Sequence, residues 1–281
     1  MRSLTVKSSL LLVCAAIFGA TWSVQGIAAI DPETCVGAWL FDEEGEDTEI
    51  DITVNENDGV IKGGPKWGEG KFGLALDCDG VDDYVDFGDK DILDVGEENF
   101  SIVAWVKVAD YEPGEWEAQI VYKFDHAVPR HGYLLGVRGS LDASNMKKPL
   151  FILGLGEDAG NHLFGTKPIT DDTWHHLAIT VDRAGSMIMY RDGEIEAQTN
   201  IAGSANQNED NGISFSIGSQ GDALSRSIQA LIDEVAVFKA VLSQQDIQRI
   251  MSSGLEIALG QAPVSSKGKL ADTWGNIKDG Y

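Results

Sequence analysis

The chain has 281 residues, with 21 basic and 45 acidic side chains, a formal charge of −24. That balance argues against a nucleic-acid binder, which needs clustered Lys and Arg for phosphate contacts, and against docking on anionic membranes. With 43% hydrophobic residues, and Trp and Phe spread along the chain, disorder is excluded as well.

Met1 to Ala29 reads as a secretory signal. Arg2 and Lys7 open it, Leu10 to Ala20 are apolar, and Gly26, Ala28 and Ala29 supply small residues for cleavage between Gly26 and Ile30. The apolar stretch falls short of the roughly 20 residues that span a bilayer. The expectation is a secreted, extracellular or periplasmic protein with no membrane insertion after cleavage; a retained anchor is the alternative. Export leaves Cys35 and Cys78. A pair in an oxidising compartment favours one disulfide, worth about 3–4 kcal/mol for a loop of about 43 residues. Two buried free thiols are the other reading. Their spacing fits neither zinc nor a CxxC redox centre.

From residue 35 the apolar pattern has period two. Strand-like runs are Val36–Phe41, Ala75–Cys78, Tyr84–Phe87, Ser101–Val108, Ile120–Phe124, Tyr133–Val137, Leu150–Leu155, Trp174–Val181, Met187–Tyr190, Ser214–Ile217 and Ile232–Phe238. Ser101–Val108 is apolar on both faces, which marks a central strand. Asp192-Gly193 between Met187–Tyr190 and Ile195 is a hairpin signal. Many short strands without alternating long helices predict an all-β, two-sheet antiparallel sandwich. One helix follows: Ser243 caps it, Asp246 completes a capping box, Leu242 and Ile247 form a staple, and Gly254 ends it. The organisation is thus a signal over 1–29, one domain over 30–252, and a flexible tail over 253–281 carrying Trp274 and Ile277.

Three segments carry a resemblance. They are Gly37–Gly45 with Asn55-Glu-Asn-Asp-Gly59; Gly70–Phe87, which contains Asp79-Gly-Val-Asp-Asp-Tyr84; and Trp174–Asp182 with its Asp192-Gly193 turn, joined to Leu231-Ile-Asp-Glu-Val-Ala-Val-Phe238 and the capped helix. Together, over Val36 to Ser252, they resemble the laminin-G-like jelly-roll domains of the concanavalin A-like lectin/glucanase superfamily. The resemblance implies a jelly roll that binds glycan or protein outside the cell, often beside a structural calcium ion. By the same resemblance, Asp42, Asn57, Asp58 and Asp233 are the candidate calcium ligands. Cys78 stands where the family tends to have an aromatic, Ala230 where it tends to have Gly, and Ile228 near a usual aromatic; the first departure favours the local disulfide.

The acidic runs suit a hard cation such as calcium, but counting from Asp77 gives no EF-hand: Asp82 stands where Gly is needed and Gly88 where Glu is needed. Most of these carboxylates are otherwise solvated turn formers. Glu49-Ile-Asp-Ile-Thr53 imitates the start of a retaining β-glucanase motif, but Thr53 and Val54 replace its last carboxylate, so one of the required pair is missing. His175 and His176 are strand neighbours and point to opposite faces. HExxH and GxSxG are absent. What remains is a binding surface on loops: Tyr111 and Trp116 in one, and Asp125, His126, Arg130 and His131 in the next, as aromatic and polar contacts for a glycan. Trp39, Trp105 and Trp174 lie in strands and are expected in the core. The expected function is a non-catalytic module for a glycan or extracellular protein; a glycoside hydrolase and a purely structural adhesion module are its rivals.

Overall fold

A computed structural model describes residues 30–157, 160–204, 208, 210–221 and 226–261. The signal segment, Trp274 and Ile277 lie outside the described residues. In chain order the strands are β1 (Cys35–Trp39), β2 (Thr48–Glu49), β3 (Gly59–Lys62), β4 (Lys66–Glu69), β5 (Leu74–Asp79) and β6 (Tyr84–Gly88). Then come β7 (Phe100–Val108), β8 (Ala118–Asp125), β9 (Arg130–Val137), β10 (Pro149–Glu157), β11 (Asn161–Phe164) and β12 (Trp174–Val181). A hairpin of β13 (Ser186–Arg191) and β14 (Glu194–Asn200) precedes β15 (Phe215–Ile217) and β16 (Gln229–Phe238). Two helices follow, α1 (Gln244–Ser253) and α2 (Leu255–Ala258).

Two antiparallel sheets result. Sheet A runs β14-β13-β12-β7-β16-β5-β4, with β1 also paired to β16; sheet B runs β11-β10-β9-β8-β15-β6-β3-β2. The period-two pattern decides what lies between them. Ile102, Ala104, Val106 and Val108 of β7 and Leu177, Ile179 and Val181 of β12 enter the inter-sheet core, while Val103 faces outward into a second cluster. β7 pairs on both edges, with β12 and β16, as a strand apolar on both faces should. The Asp192-Gly193 turn has positive φ at both residues, the backbone that matches strand twist in a tight hairpin. At one end of the core Trp39 stacks on Phe215 at 5.2 Å and lies 4.5 Å from Phe87. Its indole N–H is satisfied by the Asn57 carbonyl at 3.0 Å.

Trp39 is core, as expected, but Trp105 and Trp174 are not between the sheets. Both alternate with inter-sheet residues and stand on the outer face of sheet A. Most of that face is roofed by the helices. Ile247, Ile250, Leu255 and Ala258 pack on Val103, Ala178, Ala236 and Phe238, and each buried Ile contributes about 1.5–3 kcal/mol. The capping box is formed: Asp246 N donates to Ser243 Oγ at 3.2 Å and Ser243 N to Asp246 Oδ2 at 3.0 Å. The segment after Gly254 is not wholly a tail, since α2 docks with Leu255 fully buried.

The Cys35–Cys78 disulfide is corrected. Both thiols are free and buried. Cys35 is opposite Phe238 and Cys78 opposite Ala230 on the same strand, β16. Eight residues of strand separate those partners by about 26 Å, far beyond the roughly 7 Å limit for a bridge.

Candidate functional site

The outer face of sheet B is apolar in its middle, where Tyr122, Phe124, Leu134, Leu150 and Ile152 form a cluster. The loop after β8 folds back over it. His126 stacks on Tyr122 with centroids 6.0 Å apart and meets Phe124 edge-on at 5.0 Å. At the other end of β8, Glu117 is buried, and two arginines from distant segments converge on it. Arg138 Nη1 donates to Glu117 Oε2 at 3.1 Å, and Arg226 Nη1 donates to Oε1. Arg226 also lies over the Trp116 ring, 5.2 Å from its centroid, while Trp116 remains 49% exposed. Burial, with Arg130 as a second cause, pushes His126 down to about 4. Its approach to Glu117 at 3.8 Å is therefore a contact of a neutral ring, not an ion pair. Two residues along from Glu117, on the same face, Gln119 is fully buried with neither amide atom partnered. Gly136 stands opposite it.

This arrangement sorts the expected ligand contacts. Trp116 and His126 meet around Glu117. Tyr111 does not join them: it packs on the core edge, and its hydroxyl accepts from Gln229 N at 3.4 Å. Asp125 turns the loop by accepting from Ala127 N at 2.8 Å, and His131 Nδ1 lies 3.0 Å from the Asn208 carbonyl. Arg130 opens β9, close enough to His126 to disfavour its protonation. Glu117, Arg138 and Arg226 escaped sequence reasoning because their partners are remote in sequence, and Gln119 because nothing local marks it as buried. The available signal was a charged Glu117 immediately before an apolar strand.

The four expected calcium ligands fall into two groups. Asn57 and Asp58 belong to a turn built on Asp51: Asp51 N donates to Asp58 Oδ1 at 2.9 Å, Asn57 N to Asp51 Oδ2 at 3.0 Å, and Asn57 Nδ2 to the Val36 carbonyl at 2.7 Å. Asp42 and Asp233 instead hold the turn between β4 and β5. Asp233 Oδ2 accepts from Lys71 N and Phe72 N at 2.7 and 3.0 Å, and Asp42 Oδ1 accepts from Leu74 N at 2.7 Å. Gly73 is required there: its φ is +59°, and a Cβ would fall 2.0 Å from Asp42 Oδ1.

Asp233 is fully buried, and its Oδ1 has no partner; Glu49 Oε2, also buried, has none. Burial, with Glu234 and Asp42 adding repulsion, raises Asp233 to about 8. Burial, with Glu43 and Asp42, likewise raises Glu49 to about 8. Phe41 and Glu234, beside Asp42 and Asp233, both have positive φ, a conformation that costs a non-glycine residue roughly 1–3 kcal/mol. Glu234 sits where the β16–β7 register shifts, and its carboxylate accepts from Leu255 N at the start of α2.

The glucanase-like carboxylates are tied to the backbone. Glu49 Oε1 accepts from Phe41 N at 2.9 Å, and Asp51 accepts from Ala38, Thr53 and Asn57 N–H groups at 2.9–3.0 Å. His175 and His176 do face opposite ways. His175 lies between Asp192 and Asp171, whereas His176 is fully buried with both ring nitrogens unpartnered. Among the described residues, Asp79, Asp82 and Asp83 are the acidic group whose ligand atoms all lie within 4.8 Å of one another.

Comparison with known proteins agrees with this fold. The binding domain of Paraclostridial mosquitocidal protein 1 superposes with a TM-score of 0.64 at 14% identity, over 79% of this chain and 52% of that one. The binding domain of botulinum neurotoxin DC, solved with rat synaptotagmin II, gives 0.60 at 13% identity over 79% and 52%. The serotype D ligand-binding domain, solved with N-acetylneuraminic acid, gives 0.59 at 14% identity over 79% and 51%. The chain thus spans about half the length of these structures, and at such identities the likeness is one of fold. No curated protein matches the sequence. A family profile, however, matches residues 79–248, more than half of the chain. The chain belongs to the concanavalin A-like lectin/glucanases superfamily.

Proposed function

We propose that the protein is a secreted, non-catalytic binding module that takes a glycan on the outer face of sheet B. The observation that carries this reading is Trp116: a half-exposed indole held from one side by Arg226, which is itself fixed by buried Glu117. A braced aromatic face beside polar groups is what stacking on sugar C–H surfaces needs, because little side-chain freedom is lost on binding. The structural neighbours include domains solved with synaptotagmin and with a sialic acid, which supports a binding role in general terms. The bonding of Glu49 Oε1 and of Asp51 to backbone N–H groups supports the absence of hydrolysis.

A structural calcium ion belongs to the same reading, with an altered ligand set. Asn57 and Asp58 are committed to their turn, so of the expected ligands Asp42 and Asp233 would hold the ion. The unpartnered buried Oδ1 of Asp233 supports this fit. The ion would neutralise carboxylates that are otherwise costly to bury. A glycan array with and without calcium tests the proposal, with reducing-end release measured on every hit. Hits abolished by Trp116→Ala without release of sugar ends support it; turnover, or an array blank in both conditions, overturns it.

A further inference from the structure

Residues 262–281 lie outside the described residues, and the sheet B site uses none of them. Their sequence has a character of its own. Lys267 and Lys269 precede any acidic residue in the segment, and Leu270, Trp274, Ile277 and Tyr281 recur every three or four positions. That spacing can gather apolar groups on one side, whereas a segment that only solvates the chain is poor in aromatic residues.

The segment leaves the domain beside a surface of matching chemistry. On α2, the last helix before it, Ile257 is 58% exposed. Trp39 pairs with Val235, which sets Leu40 beside Glu234, and the Glu234 carboxylate accepts from Leu255 N at the start of α2. Leu40 and Ile52, both half-buried, pack on the cluster that holds Leu255, Ala258 and Leu259. α2 thus lies along a strip of incompletely covered apolar side chains. An acidic loop borders the strip. Directly after Leu40 and Phe41 come Asp42, Glu43, Glu44, Glu46 and Asp47, all exposed. Among the described residues none of the five has an ion pair with Lys or Arg. Glu256 of α2 is close enough to Asp42 to oppose its ionisation, so the loop stands against the helix.

We propose that residues 267–281 dock on this strip of the same chain, with Lys267 and Lys269 against the acidic loop and Leu270, Trp274 and Ile277 over Ile257, Leu40 and Ile52. Three features select this occupant. Its first lysine follows Gln261 closely, and six residues of chain reach about 20 Å. Its leading charges are opposite to those of the loop. As a tethered segment it also meets the strip at an effective concentration in the millimolar range, so modest contacts suffice. Trp116 takes no part, so the docking can stand if the sheet B reading fails.

Hydrogen–deuterium exchange of the full chain, read by mass spectrometry, is the test. Amides of 267–281 should exchange at least about tenfold more slowly than in the same segment as a free peptide, and faster at high salt than at low. Trp274→Ala and Ile257→Asp should each return the segment to the free-peptide rate and speed exchange over 38–52 as well. An unchanged melting curve confirms that Ile257→Asp folds; Trp274→Ala alters no described residue and decides the matter if Ile257→Asp melts early. Free-peptide rates in the unaltered full chain overturn the proposal. Protection that grows with protein concentration overturns it in favour of a second copy. Protection lost in Trp274→Ala with exchange over 38–52 unmoved overturns it in favour of another face.

Discussion

Two regions bury carboxylates and handle them in opposite ways. On sheet B, Glu117 lies beneath the surface with two guanidinium groups on its oxygens. Around Asp42, by contrast, Asp233 and Glu234 of β16 and Glu49 of β2 are buried with no ion pair among the described residues, and Asp42 adds repulsion to all three. A buried charge must be paired, protonated or matched by a cation. The sheet B face has chosen pairing and gains a rigid aromatic platform. The acidic group is left to protons or to an ion.

The largest expected effect comes from undoing the pairing. Arg138→Ala together with Arg226→Ala should destabilise by about 3–5 kcal/mol, the cost of stranding a buried charge, measured by urea unfolding at pH 7. Adding Glu117→Gln to that double variant should recover much of the loss. No recovery would mean that the arginines act by packing alone.

The second effect depends on pH and has opposite signs for two kinds of group. Asp233, Glu49 and Glu234 rise to about 8, 8 and 7, with burial the leading cause of each. Between the usual carboxylate range and those values the folded chain holds protons that the unfolded chain has lost. Calcium-free stability therefore falls as pH rises toward 8. Asp233→Asn should flatten that fall, and calcium should raise the melting midpoint most at pH 8; a chelator that moves nothing at any pH removes the ion. His126 and His176 behave in reverse. Both are pushed down to about 4 by burial, so the unfolded chain takes up protons first and stability drops between about 6.5 and 4. His176→Met should reduce that acid loss, as read from thermal melts at pH 5.

The smallest effect is local. Ser243→Ala should cost about 1 kcal/mol by removing the cap of α1, and chemical denaturation would register it.

The all-β architecture, the central strand, the Asp192-Gly193 turn and the capped helix were legible because each is written within a short stretch of chain. What failed needed knowledge of which remote segments meet. Cys35 and Cys78 flank the same strand at opposite ends, and only the register of β16 reveals the distance. Trp105 and Trp174 alternate correctly, yet alternation does not say which face receives the second sheet. Arg138 and Arg226 find Glu117 from 21 and 109 residues away, so half of the site could not be seen locally. Trp116 and His126 drew notice because their chemistry is unusual for turns, whereas Tyr111, picked out on the same ground, turns inward onto the core.

The central claim is that Trp116, braced through Arg226 and Glu117, receives a sugar without cutting it. Isothermal titration of an array-identified oligosaccharide into wild type and Trp116→Ala, followed by sizing of the recovered sugar, tests it most directly. Heat from the wild type, at least tenfold weaker binding by the variant and sugar of unchanged length are the predicted results. Equal heats from both proteins, or a shortened sugar, would contradict the account.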